Sequence, residues 1–100
     1  MPELPDLRAQ IDALDTQLLE TLARRFEVTK QVGEYKAANR IPVQDVAREK
    51  AQLERLRSLA VEHGLNPDFV AEFWTLLFRT VVEEHLEIAQ QAAFGVTEAG

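Results

Sequence analysis

Apolar residues recur at intervals of three and four along most of the chain, and no segment alternates apolar and polar with a period of two. The pattern predicts helices and no strands. Glycine and proline mostly mark the edges of the periodic segments. Pro2 and Pro5 stand at the start of the first, Pro42 follows Asn39-Arg40-Ile41, Gly64 and Pro67 flank Leu65-Asn66, and Gly95 lies in the tail. This punctuation predicts three helices, over 5–38, 43–63 and 67–91, followed by a disordered tail over 92–100. Asp6 is a candidate cap for the first helix and Gly64 a terminating glycine for the second. Asn66-Pro67 reads as a cap followed by a first-turn proline for the third. The expected fold class is all-α, with one domain over 1–91.

The first helix is long for a chain of 100 residues. At a rise of about 1.5 Å per residue it makes a rod of roughly 50 Å. A compact domain of this length has a radius of gyration near 13 Å. Much of the rod must then bury its apolar stripe against another chain, and a homodimer is expected.

The stripe itself carries charge. With alternating steps of three and four it runs Arg8, Ile11, Asp15, Leu18, Leu22, Arg25, Thr29, Val32, Lys36. Ile11, Leu18, Leu22 and Val32 suit a seam facing a partner helix. Arg8, Arg25 and Lys36 do not, because burying an unpaired charge is costly. Ion pairs with Asp15 or with acids on the other helices would explain any one of them. Three cations on one seam point instead to an anionic ligand. Arg25 and Lys36 are roughly 16 Å apart along the axis, so two long side chains can lean toward a small molecule between them. Arg8 lies roughly 25 Å before Arg25 and reaches such a pocket more easily from an antiparallel second copy.

The second helix places Asp45, Arg48 and Glu49 on one face, and Val46, Leu53, Leu56 and Ala60 on the other as core. Taken alone, the charged face would be a solvated one with helical ion pairs. The third helix carries Val70, Phe73, Trp74, Leu77, Val81, His85 and Ile88 at helical spacing, a core stripe that ends in a histidine. His63 fits the C-terminal end of the second helix, where a cation complements the dipole.

Composition narrows the partners. Seventeen acids against 11 bases give a net charge of −6, which disfavours nucleic acid as the main partner. An anionic small molecule needs only a local cluster of cations. Without cysteine there are no disulfides or thiolate metal sites, and two histidines alone do not make a zinc site, so no metal is expected. The start, MPELPDL, has neither a basic region nor an apolar run, and no stretch approaches a membrane span. The expected location is the cytoplasm, with no membrane partner.

The run LRAQIDALDTQLLETLARRFEVTKQVGEYKAANRIPVQDVARE, from Leu7 to Glu49, resembles the all-helical chorismate mutases. The elements that carry the likeness are Leu7-Arg8 with Ile11-Asp12 and Asp15, then Leu22-Ala23-Arg24-Arg25, Val32-Gly33-Glu34-Tyr35-Lys36, the Pro42-Val43 loop, and Asp45 with Arg48-Glu49. The likeness extends over about residues 5–90. It implies an intertwined homodimer of three-helix chains with antiparallel first helices, and rearrangement of chorismate to prephenate in aromatic amino-acid biosynthesis, without a cofactor. By position, Arg8 resembles the arginine sent from the partner subunit to a substrate carboxylate. Arg25 resembles the one that holds the other carboxylate. Lys36 resembles the lysine at a carboxylate and the ether oxygen, and Arg48 an arginine supporting the carboxylate end. Asp45 and Glu49 resemble the groups at the ring hydroxyl.

Two positions depart from the family. Where it usually has a serine and, four residues later, a glutamine or glutamate, this chain has Val81 and His85. Gln90 does not replace them, because five residues beyond His85 it is turned about 140° around the helix. His85 is therefore the candidate for the ether-oxygen contact, with Lys36 and Arg25, and Val81 lines the same wall. Isochorismate-pyruvate lyase shares this fold and much of the cation cage, and 4-amino-4-deoxychorismate mutase is a further enzymatic alternative. A non-catalytic helical dimerisation or regulatory module is the alternative of another class. The compact Pro42-Val43 loop with Asp45, Arg48 and Glu49 favours the mutase.

Overall fold

The computed structural model contains three helices, α1 (Leu4–Ala38), α2 (Val46–Glu62) and α3 (Pro67–Ala99). It describes residues 1–93 with their side chains and, beyond them, only helical backbone as far as Ala99. No strand occurs among the described residues, as the periodicity predicts.

The helix ends follow from local chemistry. α1 begins one residue earlier than expected. Asp6 is not its cap but the third residue inside, where its carboxylate accepts from the backbone N–H of the capping residue Glu3 at 3.2 Å. α2 begins at Val46 rather than 43, because Asp45 caps it: its carboxylate accepts from the Arg48 backbone N–H at 3.0 Å. The preceding turn is made by Arg40, whose φ of 54° lies in the left-handed region. Gly64, with φ of 71°, ends α2, and the Leu65 N–H reaches back to the Ala60 carbonyl at 2.7 Å. Asn66 then caps α3, accepting from the backbone N–H groups of Asp68 and Phe69. The tail expected to be disordered from Ala92 starts inside α3. Ala92 and Ala93 are helical, alanine being the strongest helix former. The remainder of that expectation falls on residues whose side chains lie outside the described ones.

α3 is the centre of the arrangement. Both α1 and α2 pack on it, whereas α1 and α2 do not pack on each other. The core is small: Leu56 and Ala60 of α2 meet Val70 of α3, flanked by Leu59 and Trp74. Val46, expected in this core, is exposed because it stands at the helix start above the packed turns. Further along α3, Leu77, Phe78 and His85 are buried, and Phe73 meets Trp74 edge-on with ring centroids 5.3 Å apart.

The N-terminal half of α1 is not buried by the described residues. Every residue from Met1 to Thr21 is exposed, among them Leu4, Leu7, Ile11, Leu14, Leu18 and Leu19. The radius of gyration is 18.1 Å and the longest extent 68 Å, far from the roughly 13 Å of a compact domain of this length. No helix among the described residues is long and apolar enough to cross a membrane.

Candidate active site

One cleft collects nearly all of the chemistry named from the sequence. It has a volume of about 200 Å³ and lies between the C-terminal half of α1, the start of α2 and the middle of α3. Arg25, Lys36, Asp45, Arg48, Glu49, Val81 and His85 all line it. Arg8 does not; it stands exposed on the uncovered half of α1.

The three cations of the cleft have no carboxylate partner. Among the described residues the one ion pair is Arg57–Asp68, which joins α2 to α3 away from the cleft. Arg25 is half-buried, and its Nη1 is fully buried without a hydrogen-bond partner. Burial lowers the Arg25 pKa from its ordinary value, since desolvation disfavours the charged form. Lys36 donates from Nζ to the Val43 carbonyl at 3.1 Å, which ties the end of α1 to the loop and fixes where the ammonium sits. The Arg48 guanidinium has no partner among the described residues.

The two acids are held by other contacts. Asp45 is occupied in part as the cap of α2. Glu49 accepts from the Gln44 side-chain amide at 3.3 Å. Ion pairing within α2, the plain explanation of this charged face, is therefore not what the side chains do. In a chain of net charge −6, the cleft gathers three cations against two carboxylates.

His85 differs from expectation in a way that bears on its chemistry. Only 3% of the residue is exposed. Its Nε2 lies 2.7 Å from the Thr29 backbone carbonyl, so the ring donates there. Its Nδ1 is buried and has no partner. In a neutral ring this Nδ1 is an acceptor, and it becomes a donor only when the ring is protonated. The ring fits because Gly33 lies beneath it: a Cβ at residue 33 would come within 2.6 Å of His85 Cδ2 and 2.9 Å of Ile88 Cδ1. A glycine in mid-helix costs about 1 kcal/mol relative to alanine, and here it allows α1 and α3 to approach closely.

Val81 lines the cleft with Phe78, Val82, Val32 and Val43 as its apolar wall. Sequence reasoning missed Gln52, which also lines it. The signal was present: Gln52 follows Arg48 by four residues and Glu49 by three, and so shares their face of α2.

Comparison with known proteins places the chain in a family. The family model described as chorismate mutase type II matches residues 7–86. The chain is 40% identical over 86 residues to the bifunctional chorismate mutase/prephenate dehydratase of Escherichia coli, covering 86% of this chain and 21% of that protein. It therefore spans about a fifth of the length of the bifunctional relatives it matches. It is 30% identical to the chorismate mutase of Methanocaldococcus jannaschii, over 88% of this chain and 92% of the relative. It is 32% identical to the 4-amino-4-deoxychorismate mutase of Streptomyces venezuelae, over 75% of this chain and 73% of the relative. With the matched region taking in most of α1, all of α2, the larger part of α3 and every cleft residue named above, the chain belongs to the chorismate mutase type II family.

Proposed function

We propose that the chain rearranges chorismate to prephenate, as a homodimer whose two clefts are each completed by Arg8 of the other copy. The observation that carries this is the Arg25 guanidinium, buried at Nη1 without a partner on the wall of a cleft that also holds Lys36 and Arg48. A buried, unpaired cation is costly unless an anion meets it. A dicarboxylate supplies two.

The reaction asks for little covalent chemistry. The enolpyruvyl side chain must fold over the ring before one bond breaks and another forms, with no proton transfer and no covalent intermediate. Arg25 and Arg8 of the second copy would each take a carboxylate, bidentate contacts that suit a planar guanidinium. That holds the folded conformer and removes the cost of finding it. Lys36, fixed by the Val43 carbonyl, meets the negative charge that grows on the ether oxygen as its C–O bond breaks. A preorganised donor of this kind is worth about 3 kcal/mol. Arg48 supports the carboxylate end, and Asp45 and Glu49 receive the ring hydroxyl. The apolar wall of Val32, Phe78, Val81 and Val82 excludes water beside the reacting atoms.

The uncovered apolar stripe of α1 supports the homodimer, since a second copy laid antiparallel would bury it and bring Arg8 toward the far cleft. The test is direct: purified chain is mixed with chorismate, and loss of substrate and appearance of prephenate are followed. A folded dimer that leaves chorismate unchanged at the background rate would refute the reading.

A further inference from the structure

Of the polar side chains in the cleft, most are already engaged. Lys36 is bound to the Val43 carbonyl, Thr29 to the Phe26 carbonyl, Asp45 to the Arg48 N–H, Glu49 to Gln44, and His85 Nε2 to the Thr29 carbonyl. Three groups with N–H donors are left: the guanidiniums of Arg25 and Arg48, and the amide of Gln52, none of which has a partner among the described residues. Two are charged and suit carboxylates. Gln52 is neutral, half-buried, and one turn beyond Arg48 and Glu49 on the same face of α2.

We infer that Gln52 contacts the substrate and sets its specificity, by donating a hydrogen bond to the ring hydroxyl beside Glu49. The inference rests on the reading proposed above. Its logic is the hydrogen-bond capacity of the groups on this wall. Carboxylates only accept, so Asp45 and Glu49 can receive the hydroxyl proton but leave its oxygen lone pairs unmet. The Gln52 amide supplies the missing N–H and needs no counter-charge. A ring ammonium has no lone pair to offer, so the same N–H gains nothing from it. Gln52 therefore favours a hydroxylated ring over an aminated one, whereas the two carboxylates favour the reverse. A site built to hydrogen-bond one substituent discriminates most when the contact is desolvated.

The experiment compares chorismate with 4-amino-4-deoxychorismate for the wild-type dimer, Gln52→Leu and Gln52→Glu. Gln52→Leu keeps the volume and is expected to lower kcat/KM for chorismate about tenfold, while changing that for the amino substrate less than about twofold. Gln52→Glu replaces the donor by an acceptor and is expected to move the preference further toward the amino substrate. Circular dichroism and thermal unfolding confirm that each variant is folded. An active wild type whose preference ratio stays put in both folded variants overturns the inference alone, as does an equal loss on both substrates. A wild type that turns over neither substrate overturns the proposed reaction and this inference with it.

Discussion

The His85 ring is held by the Thr29 carbonyl, 2.7 Å from Nε2, and this leaves Nδ1 buried and unpartnered. The bond decides what the ring offers to the cleft. A glutamine at this position presents an N–H at any pH, whereas the neutral histidine with its Nε2 proton committed presents a lone pair.

His85→Gln is therefore expected to turn over chorismate faster than the wild type, because it restores an N–H facing the cleft. His85→Ala should be slower than His85→Gln by about tenfold or more, as when one transition-state donor is missing. Initial rates of the three proteins under one set of conditions decide the matter. Equal rates for wild type and His85→Gln would show that the ring acts by packing alone.

Gly33 makes the opposite kind of contribution. Alanine in an exposed mid-helix position usually stabilises by about 1 kcal/mol over glycine. Here the added methyl would meet His85 Cδ2 at 2.6 Å. The expected outcome of Gly33→Ala is a net loss of about 1–3 kcal/mol, the usual cost of overpacking, together with reduced turnover as His85 is pushed aside. Urea unfolding measures the first. A stabilised variant would show that α1 and α3 can separate cheaply.

Arg25 should separate stability from activity. Removing a desolvated cation that lacks a partner relieves the free protein. Arg25→Met is expected to unfold at the same temperature as the wild type or higher, while its kcat/KM falls by about a hundredfold or more. A large drop in melting temperature would instead assign Arg25 a structural role.

Light scattering at micromolar concentration should give twice the chain mass of 11.3 kDa. Arg8→Ala and Arg25→Ala should each be nearly inactive and retain helical circular dichroism. Refolded together, they form mixed dimers with one intact site and one doubly damaged site if Arg8 serves the second copy. Activity should then reappear. Its absence with mixed dimers present would place Arg8 in its own subunit's business or in none.

Much of this was readable from residue order because helices advertise themselves locally. Period, caps and breakers fixed three elements, and Gly64 and Asn66 behave as expected. Arg25 and Lys36 were readable because two cations broke an apolar stripe, whereas Asp45, Arg48, Glu49, Val81 and His85 were named through the family resemblance, a charged face and a core stripe being ordinary on helices. What was not readable depends on where side chains end. Asp6 lies inside α1 and Asp45 outside α2, a distinction made by one hydrogen bond each. Val46 has the spacing of a core residue but sits above the packed turns. The direction of the His85 ring depends on a backbone carbonyl 56 residues away, which no local pattern encodes. Gln52 was overlooked because a glutamine on a charged helical face carries no contrast with its neighbours.

Because α1 and α2 rest on α3 but not on each other, a bound dianion gripped by Arg25 and Lys36 from one side and Arg48 from the other would act as a tertiary contact that the empty chain lacks. Thermodynamic linkage then couples occupancy to unfolding: a ligand at a hundred times its Kd adds about 2.7 kcal/mol. Product carries the same two carboxylates as substrate. Shielding from heat and inhibition by accumulated product should accordingly rise together, so that a thermal-shift titration with prephenate doubles as a measure of how strongly the cleft would resist releasing the proposed product.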